Sequence, residues 1–310
     1  MRTPSLADAE WLNSQPLGPD DLHGHVVLYD FWTLTCINWL RTAPYRLAWW
    51  NAYRQDGLIV VGVHTPEFGF EHSPELVRRA VAERGIDYPV VIDSDYAVWK
   101  AFDNHYWPAL YLADAEGVIR DHHFGEGEYE RSERSIQRLL GVSRPLSRVE
   151  PAGVEVEADW THLRTPETYL GYARAEHFAA AGEAEFGRRH TYTYSNYLHF
   201  NHWALDGEWT VGSEHVTLSE PDGSIAFRFQ ARDANLVLDR TGGEPVPFRV
   251  TLDGEAPGDA AGLDVGADGT GVLDQGRMYQ LIRQPGAIGE KFLEITFAGP
   301  GARAYVFTFG

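Results

Sequence analysis

The stretch Val26-Val27-Leu28-Tyr29-Asp30-Phe31-Trp32-Thr33-Leu34-Thr35-Cys36-Ile37-Asn38-Trp39-Leu40-Arg41 decides how the first half of this chain folds. Val26–Trp32 is a short apolar, β-branched and aromatic run, which reads as a strand. Beyond the cysteine, Ile37, Leu40, Pro44, Leu47 and Trp50 recur at three- and four-residue steps, one face of a helix. A three-residue turn joins the two, so Cys36 stands at or near a helix start. Unpaired N–H groups and the positive end of the helix dipole favour a thiolate there. A thiolate is the form that attacks disulfides and peroxides, which makes Cys36 a candidate nucleophile. The competing reading is that a lone cysteine beside Phe, Trp and Ile is a small buried hydrophobe.

The same rhythm continues outward. Leu58–Thr65, Tyr88–Asp93, Ala109–Asp114 and Val118–Phe124 read as further strands. A helix between them has Ser73 as N-cap, Pro74 at its first position and Gly85 past its end. Asp95–Phe102 and Arg131–Leu140 read as two short helices, the last closed by Gly141. Strands alternating with helices predict an α/β domain, residues 1–141, built on a mixed sheet flanked by helices. Residues 142–189 lose this periodicity and read as an irregular linker. From His190 onward, strands such as Trp209–Leu218, Ile225–Gln230, Phe248–Leu252 and Phe292–Phe297 are separated by Gly, Asp and Pro turns. That spacing predicts an all-β, jelly-roll-like sandwich over 190–310, with Gly254–Gly276 as one long loop.

Composition narrows the chemistry. The chain has 310 residues, one cysteine, and 26 basic against 45 acidic side chains, a net charge of −19. One cysteine excludes an intramolecular disulfide framework, a cysteine-rich zinc site and a two-cysteine redox centre within one chain. The acidic balance argues against nucleic acid and anionic membrane surfaces as partners. No stretch approaches 18 apolar residues, and Met1–Asp8 lacks an apolar signal core, so a cytoplasmic location is the expectation.

Strand, short turn, cysteine at a helix start, and Pro44 eight residues on resemble the thioredoxin-like superfamily. Phe31-Trp32-Thr33-Leu34-Thr35-Cys36-Ile37-Asn38 is similar to the active-site approach of its TlpA-like, or redoxin, branch. Val61-Gly62-Val63-His64-Thr65-Pro66-Glu67, Tyr106-Trp107-Pro108-Ala109, and Gly117-Val118-Ile119 leading to Phe124-Gly125 resemble its later landmarks. The whole resembles the soluble part of DipZ-type proteins, in which a carbohydrate-binding-module-like sandwich follows a thioredoxin-like domain. The resemblance implies that Pro108 is the cis-proline facing the cysteine, and that Trp107 before it pairs with an extended peptide. It implies a groove involving Trp32, Trp39, Trp107 and His64, with Thr33 beside the nucleophile and Asp30 as proton relay. Relatives of this branch are often extracytoplasmic.

The departure matters as much as the match. Trp39 stands where disulfide-exchanging relatives carry the second cysteine of Cys-x-x-Cys. A mixed disulfide on Cys36 must therefore be released by an external thiol or thiol protein. The leading expectation is a monothiol oxidoreductase. Two alternatives stand beside it: a redox-degenerate binding protein for a peptide or small ligand, and a one-cysteine peroxidase. Thr33-x-x-Cys36 is half of the peroxiredoxin signature, but Tyr29 replaces its proline, and Arg41, a possible cationic substitute about one turn past the cysteine, reads equally as a solvated helix residue.

Other constellations weigh less. His199-x-x-His202 has metal-site spacing without an evident third ligand, and neither a metal nor a cofactor is expected. Acids at strand ends, Glu67, Glu71, Asp93, Asp95 and Asp114, include positions suited to proton transfer. Asp114–Gly117 reads more simply as a hairpin turn. Tyr192, Tyr194, Tyr197, Trp203 and Trp209 are candidates for a glycan-stacking surface in the second domain, although packing explains them more simply.

Overall fold

The computed structural model describes residues 2–6, 9–180, 184–194 and 197–310. The chain forms two compact units, residues 1–156 and 157–310.

In the first unit the elements run β1 (Glu10–Leu12), α1 (Pro19–Leu22), β2 (Val26–Trp32), α2 (Ile37–Tyr53), β3 (Leu58–His64) and α3 (Pro74–Glu83). They continue with β4 (Val90–Ile92), α4 (Ala97–Ala101), β5 (Ala109–Ala113), β6 (Ile119–Phe124) and α5 (Tyr129–Leu140). The sheet order is β1-β4-β3-β2-β5-β6. Its centre is parallel (β2 with β3, β3 with β4) and its flanks are antiparallel. This is the expected α/β domain on a mixed sheet. β1 and α1 escaped the sequence reading, because three or four residues carry no period.

Central β2 is buried at every position, so its alternation separates two faces. Val27, Tyr29 and Phe31 join Val61, Val63, Val91, Phe102 and Tyr111 in one apolar layer. Asp30 and Trp32 point to the opposite face, where α2 lies, as the bonds from Trp39 and Arg46 to Asp30 show. Local signals act as read. The Ser73 hydroxyl accepts from Leu76 N–H at 3.4 Å, and Asp114 accepts from the N–H groups of Glu116 and Val118 within the hairpin turn.

The second unit comprises β7 (Thr168–Tyr169), β8 (Arg189–Tyr192), β9 (Trp203–Val211), β10 (Val216–Leu218), β11 (Gly223–Gln230) and β12 (Asp233–Arg240). It ends with β13 (Val246–Leu252), β14 (Thr270–Leu273), β15 (Arg277–Arg283), β16 (Glu290–Phe297) and β17 (Ala302–Phe309). These pair antiparallel in the order β14-β13-β16-β11-β9-β10-β17-β12-β15, with β7 on β17 and β8 on β9. Strand β9 changes partner midway. Trp203–Asp206 pair with β11, while Trp209–Val211 pair with β10. The corner is Gly207, whose φ of 94° and 2.8 Å approach of a Cβ to Gly223 Cα both require glycine. The sheet thereby folds over one apolar core containing Trp203, Trp209, Phe227, Phe229, Phe297, Phe307 and Phe309. It is the expected sandwich.

Two boundaries differ from the sequence reading. Residues 142–189 are not a separate linker. Ser147 donates its N–H and hydroxyl to Glu133 of α5, tying the first part to the first unit, whereas Thr168–Tyr169 pair with β17 and Phe178 bridges Trp203. Gly254–Gly276 is not one loop either, since Thr270–Leu273 pair with β13. The described parts of both segments pair with residues outside them, which local periodicity cannot register.

Candidate functional site

Cys36 is the N-cap residue of α2, with extended backbone angles of −69° and 110° and partial solvent exposure. Its carbonyl accepts the first helical bond from Leu40 at 3.0 Å, and its own N–H donates to Thr33 O at 3.3 Å. The turn 33–36 is thus closed on itself and pinned to a 17-residue helix. The thiol points across to the next landmark, donating to the Trp107 carbonyl at 3.8 Å. The Trp107–Pro108 peptide bond is cis, Pro108 is buried, and the Trp107 ring packs on Trp99 at 4.2 Å. Residues 71 positions apart therefore meet at the sulfur.

The groove differs from the expectation. Trp32, Trp39 and His64 are fully buried, so only Trp107 of the four residues expected to line it has exposed surface. The reason is the face of the sheet on which they lie. Trp32 and Trp39 stack at 4.3 Å beneath α2, and His64 meets Trp32 edge-on at 4.7 Å. What the surface offers beside Trp107 is Tyr106, 54% exposed, packed 5.0 Å from Phe124. Phe124 sits on edge strand β6, a position that becomes relevant only once β5 and β6 pair.

Trp39 takes the resolving position and builds it into the core. Its indole N–H donates to Asp30 at 2.9 Å, and the Arg84 guanidinium lies 5.7 Å from its ring centre. Asp30 also receives the Arg46 guanidinium at 3.0 Å, with both partners buried. Each Asp30 oxygen is thereby engaged, one by a cation and one by an indole. The residue expected to relay protons serves instead as counter-ion to Arg46, because the positive charge that needs it comes from two turns further along α2. Arg41 is likewise not a free cation beside the thiol: it is buried and paired with Glu126 at 3.0 Å.

Under the active-site turn lies an acid that the sequence offered only as one of several at strand ends. Glu71 is fully buried in the short 3₁₀ turn Gly69–His72. One carboxyl oxygen accepts from Thr35 N–H at 3.2 Å and Thr35 Oγ1 at 2.7 Å; the other accepts from Glu67 N–H at 2.6 Å and Phe68 N–H at 2.9 Å. Burial raises its pKa to about 7, against the opposing pull of the Thr35 and Thr33 hydroxyls. Thr33 is buried next to this group, its hydroxyl making no well-formed hydrogen bond. Burial likewise drives the His64 pKa down to about 3, so its ring is neutral, and neither ring nitrogen has a hydrogen-bond partner.

Elsewhere, no group of three His, Cys, Asp or Glu side chains among the described residues is arranged to hold a metal ion. Among the described residues no helix is long and apolar enough to cross a membrane. Of the five aromatics weighed for glycan stacking, Tyr192, Trp203 and Trp209 are buried, Tyr194 donates to Glu294 at 2.7 Å, and Tyr197 is exposed.

Over 130 residues the chain is 31% identical to thiol-disulfide oxidoreductase YkuV of Bacillus subtilis, covering 42% of this chain and 87% of YkuV. The chain belongs to the thioredoxin-like thiol-disulfide oxidoreductase family. It is 37% identical over 237 residues to protein DipZ of Mycobacterium tuberculosis, covering 75% of this chain and 34% of DipZ. The chain thus spans about a third of the length of the DipZ proteins it matches. Residues 165–310 match the family described as thioredoxin like C-terminal domain. Among solved structures, a thioredoxin-like protein in its oxidized form is 31% identical, with a TM-score of 0.41, covering 45% of this chain and 95% of its own. Family membership does not supply the second cysteine: this member carries Trp39.

Proposed function

We propose that this protein catalyses thiol-disulfide exchange with Cys36 as its nucleophile and an external thiol as resolver. The observation that carries the reading is the sulfur of the partly exposed Cys36, at the start of α2 and 3.8 Å from the Trp107 carbonyl. The Cys36 thiolate attacks one sulfur of a substrate disulfide, forming a mixed disulfide and expelling the other sulfur as a thiolate, which takes a proton from solvent. A thiolate from a small molecule or partner protein then attacks the mixed disulfide, regenerating Cys36 and leaving with the retained substrate half as a new disulfide. Helix-start N–H groups favour the attacking and regenerated anion. Tyr106, next to Trp107 in the chain, and Phe124, packed on it, are exposed apolar surface that a substrate chain would contact.

A second reading, a thioredoxin fold that binds without exchanging, is favoured by Trp39, whose buried ring stands in place of a resolving cysteine. Peroxidase chemistry has less support, because Arg41, the cation considered for the thiol, is paired with Glu126. Intact mass after treatment with glutathione disulfide separates these. Exchange predicts a single adduct reversed by added thiol and absent from Cys36→Ser. No adduct on the folded protein leaves the binding reading, and a sulfenic acid formed by peroxide without disulfide reactivity favours the peroxidase.

A further inference from the structure

We propose that Glu71 is a positioning residue for Cys36: its carboxyl holds the Thr35 peptide and hydroxyl next to the thiol, and its ionisation is coupled to that of Cys36. The inference rests on Cys36 being the reactive group and concerns what regulates it.

Four donors converge on this one buried carboxyl, two from Thr35 and two from the Glu67 and Phe68 backbone. A single side chain thereby staples the 33–36 turn to the 66–72 loop. Three of the donors are amide N–H groups, which can only donate. The fourth, the Thr35 hydroxyl, either donates to a carboxylate or accepts from a carboxylic acid. Its 2.7 Å contact with Glu71 therefore survives a change of protonation by reversing direction. Glu71 gains or loses charge without releasing Thr35, and Thr35 is the residue bonded to Cys36.

The surroundings place that change near neutrality. Burial lifts the carboxyl to about 7, and Glu67 in the same loop adds a like charge. His72 follows directly in the 3₁₀ turn, while His64, at the end of β3, is kept neutral by burial. Asp93, after β4, is engaged by the Thr65 hydroxyl and by the Val98 and Trp99 N–H groups. At the start of α2, Cys36 is the remaining acid, one residue from the Thr35 contact. Two acids separated by Thr35 oppose each other's ionisation, so their protons leave in two linked steps.

The test is the rate of Cys36 alkylation by iodoacetamide in the full chain between pH 5 and 9. Wild type should show two steps. Glu71→Gln should show one, moved to lower pH by about one unit, hence about tenfold faster at a pH below both midpoints. Thr35→Ser should restore the wild-type profile, whereas Thr35→Val, lacking the reversible hydroxyl, should push the Glu71 step upward. A folded Glu71→Gln with a profile superimposable on wild type overturns the proposal. If that variant does not fold, infrared absorption of the protonated carboxyl is followed in wild type before and after alkylation. Its midpoint should fall when Cys36 can no longer become an anion, and an unmoved midpoint overturns the coupling. Failure of glutathione disulfide to react would defeat the exchange function instead, since alkylation still reports the linkage.

Discussion

The two units bury different things. The first threads charge through its interior: Asp30 with Arg46, Arg41 with Glu126, and Glu71 and Glu133 fully or nearly enclosed. Glu133 alone accepts from Trp49, Tyr53 and Ser147. The second unit fills its core with stacked phenylalanines and aliphatic residues, and its buried Asp233 is met by Arg232 and Arg283. Burying a charge without a partner is far more costly than burying a ring, so an interior rich in charges needs a complete set of partners. The difference separates a unit arranged around a thiol from one held together mainly by apolar area.

The largest expected effect is chemical. Cys36→Ser should reduce disulfide exchange to background, read as loss of the glutathione adduct, while second-unit variants such as Tyr197→Ala retain it. Exchange persisting in Cys36→Ser would break the division of labour.

Stability comes next. Phe227→Ala should cost about 3–5 kcal/mol in denaturant unfolding through cavity creation. Arg46→Met should cost about as much, roughly 3–5 kcal/mol, for another reason: it strands Asp30 in the core. The two are told apart by a second substitution. Arg46→Met with Asp30→Leu should recover much of the loss, because an apolar pair of fitting volume needs no counter-ion. If the double variant is no better than the single one, charge pairing is not what the first interior requires.

A finer contrast lies within the first unit. Glu71, raised from about 4.5 to about 7, binds a proton more tightly folded than unfolded. Its contribution is complete below pH 4.5 and is lost as pH rises through 7. His64, lowered from 6.5 to about 3, does the opposite: its contribution is present above 6.5 and lost as pH falls towards 3. Between pH 4.5 and 6.5 the two slopes, each up to about 1.4 kcal/mol per pH unit, cancel. Relative to wild type, Glu71→Gln should become more stable with rising pH across this window, and His64→Leu less stable. Parallel curves for both variants would refute the opposition. At the small end, Arg148→Ala breaks an exposed pair with Glu150 and should move stability by less than about 0.5 kcal/mol.

Much of this was legible in the sequence where the cause is local. The 26–41 stretch gave strand, turn and helix in order, because period and composition over 16 residues suffice to set them. Ser73, Gly141 and Asp114 ended or turned elements as read, each through its own backbone neighbourhood. The groove was read less well. Trp32, Trp39 and His64 are adjacent to the thiol in sequence or in the sheet, yet they point into the core. Adjacency to a cysteine does not say which face of a strand or helix a side chain takes.

By itself, the sequence determined that one thiol stands at a helix start, that these 310 residues hold no second cysteine to resolve it, and that an α/β unit precedes an all-β one. These follow from residue counts and from periods of two and 3.6. Only tertiary structure decided that Trp107 meets the sulfur, that Asp30 belongs to Arg46, and that Glu71 lies under Thr35. Those contacts join residues 16 to 71 positions apart, and their energies depend on burial and partner geometry, which exist only once the chain has closed around them.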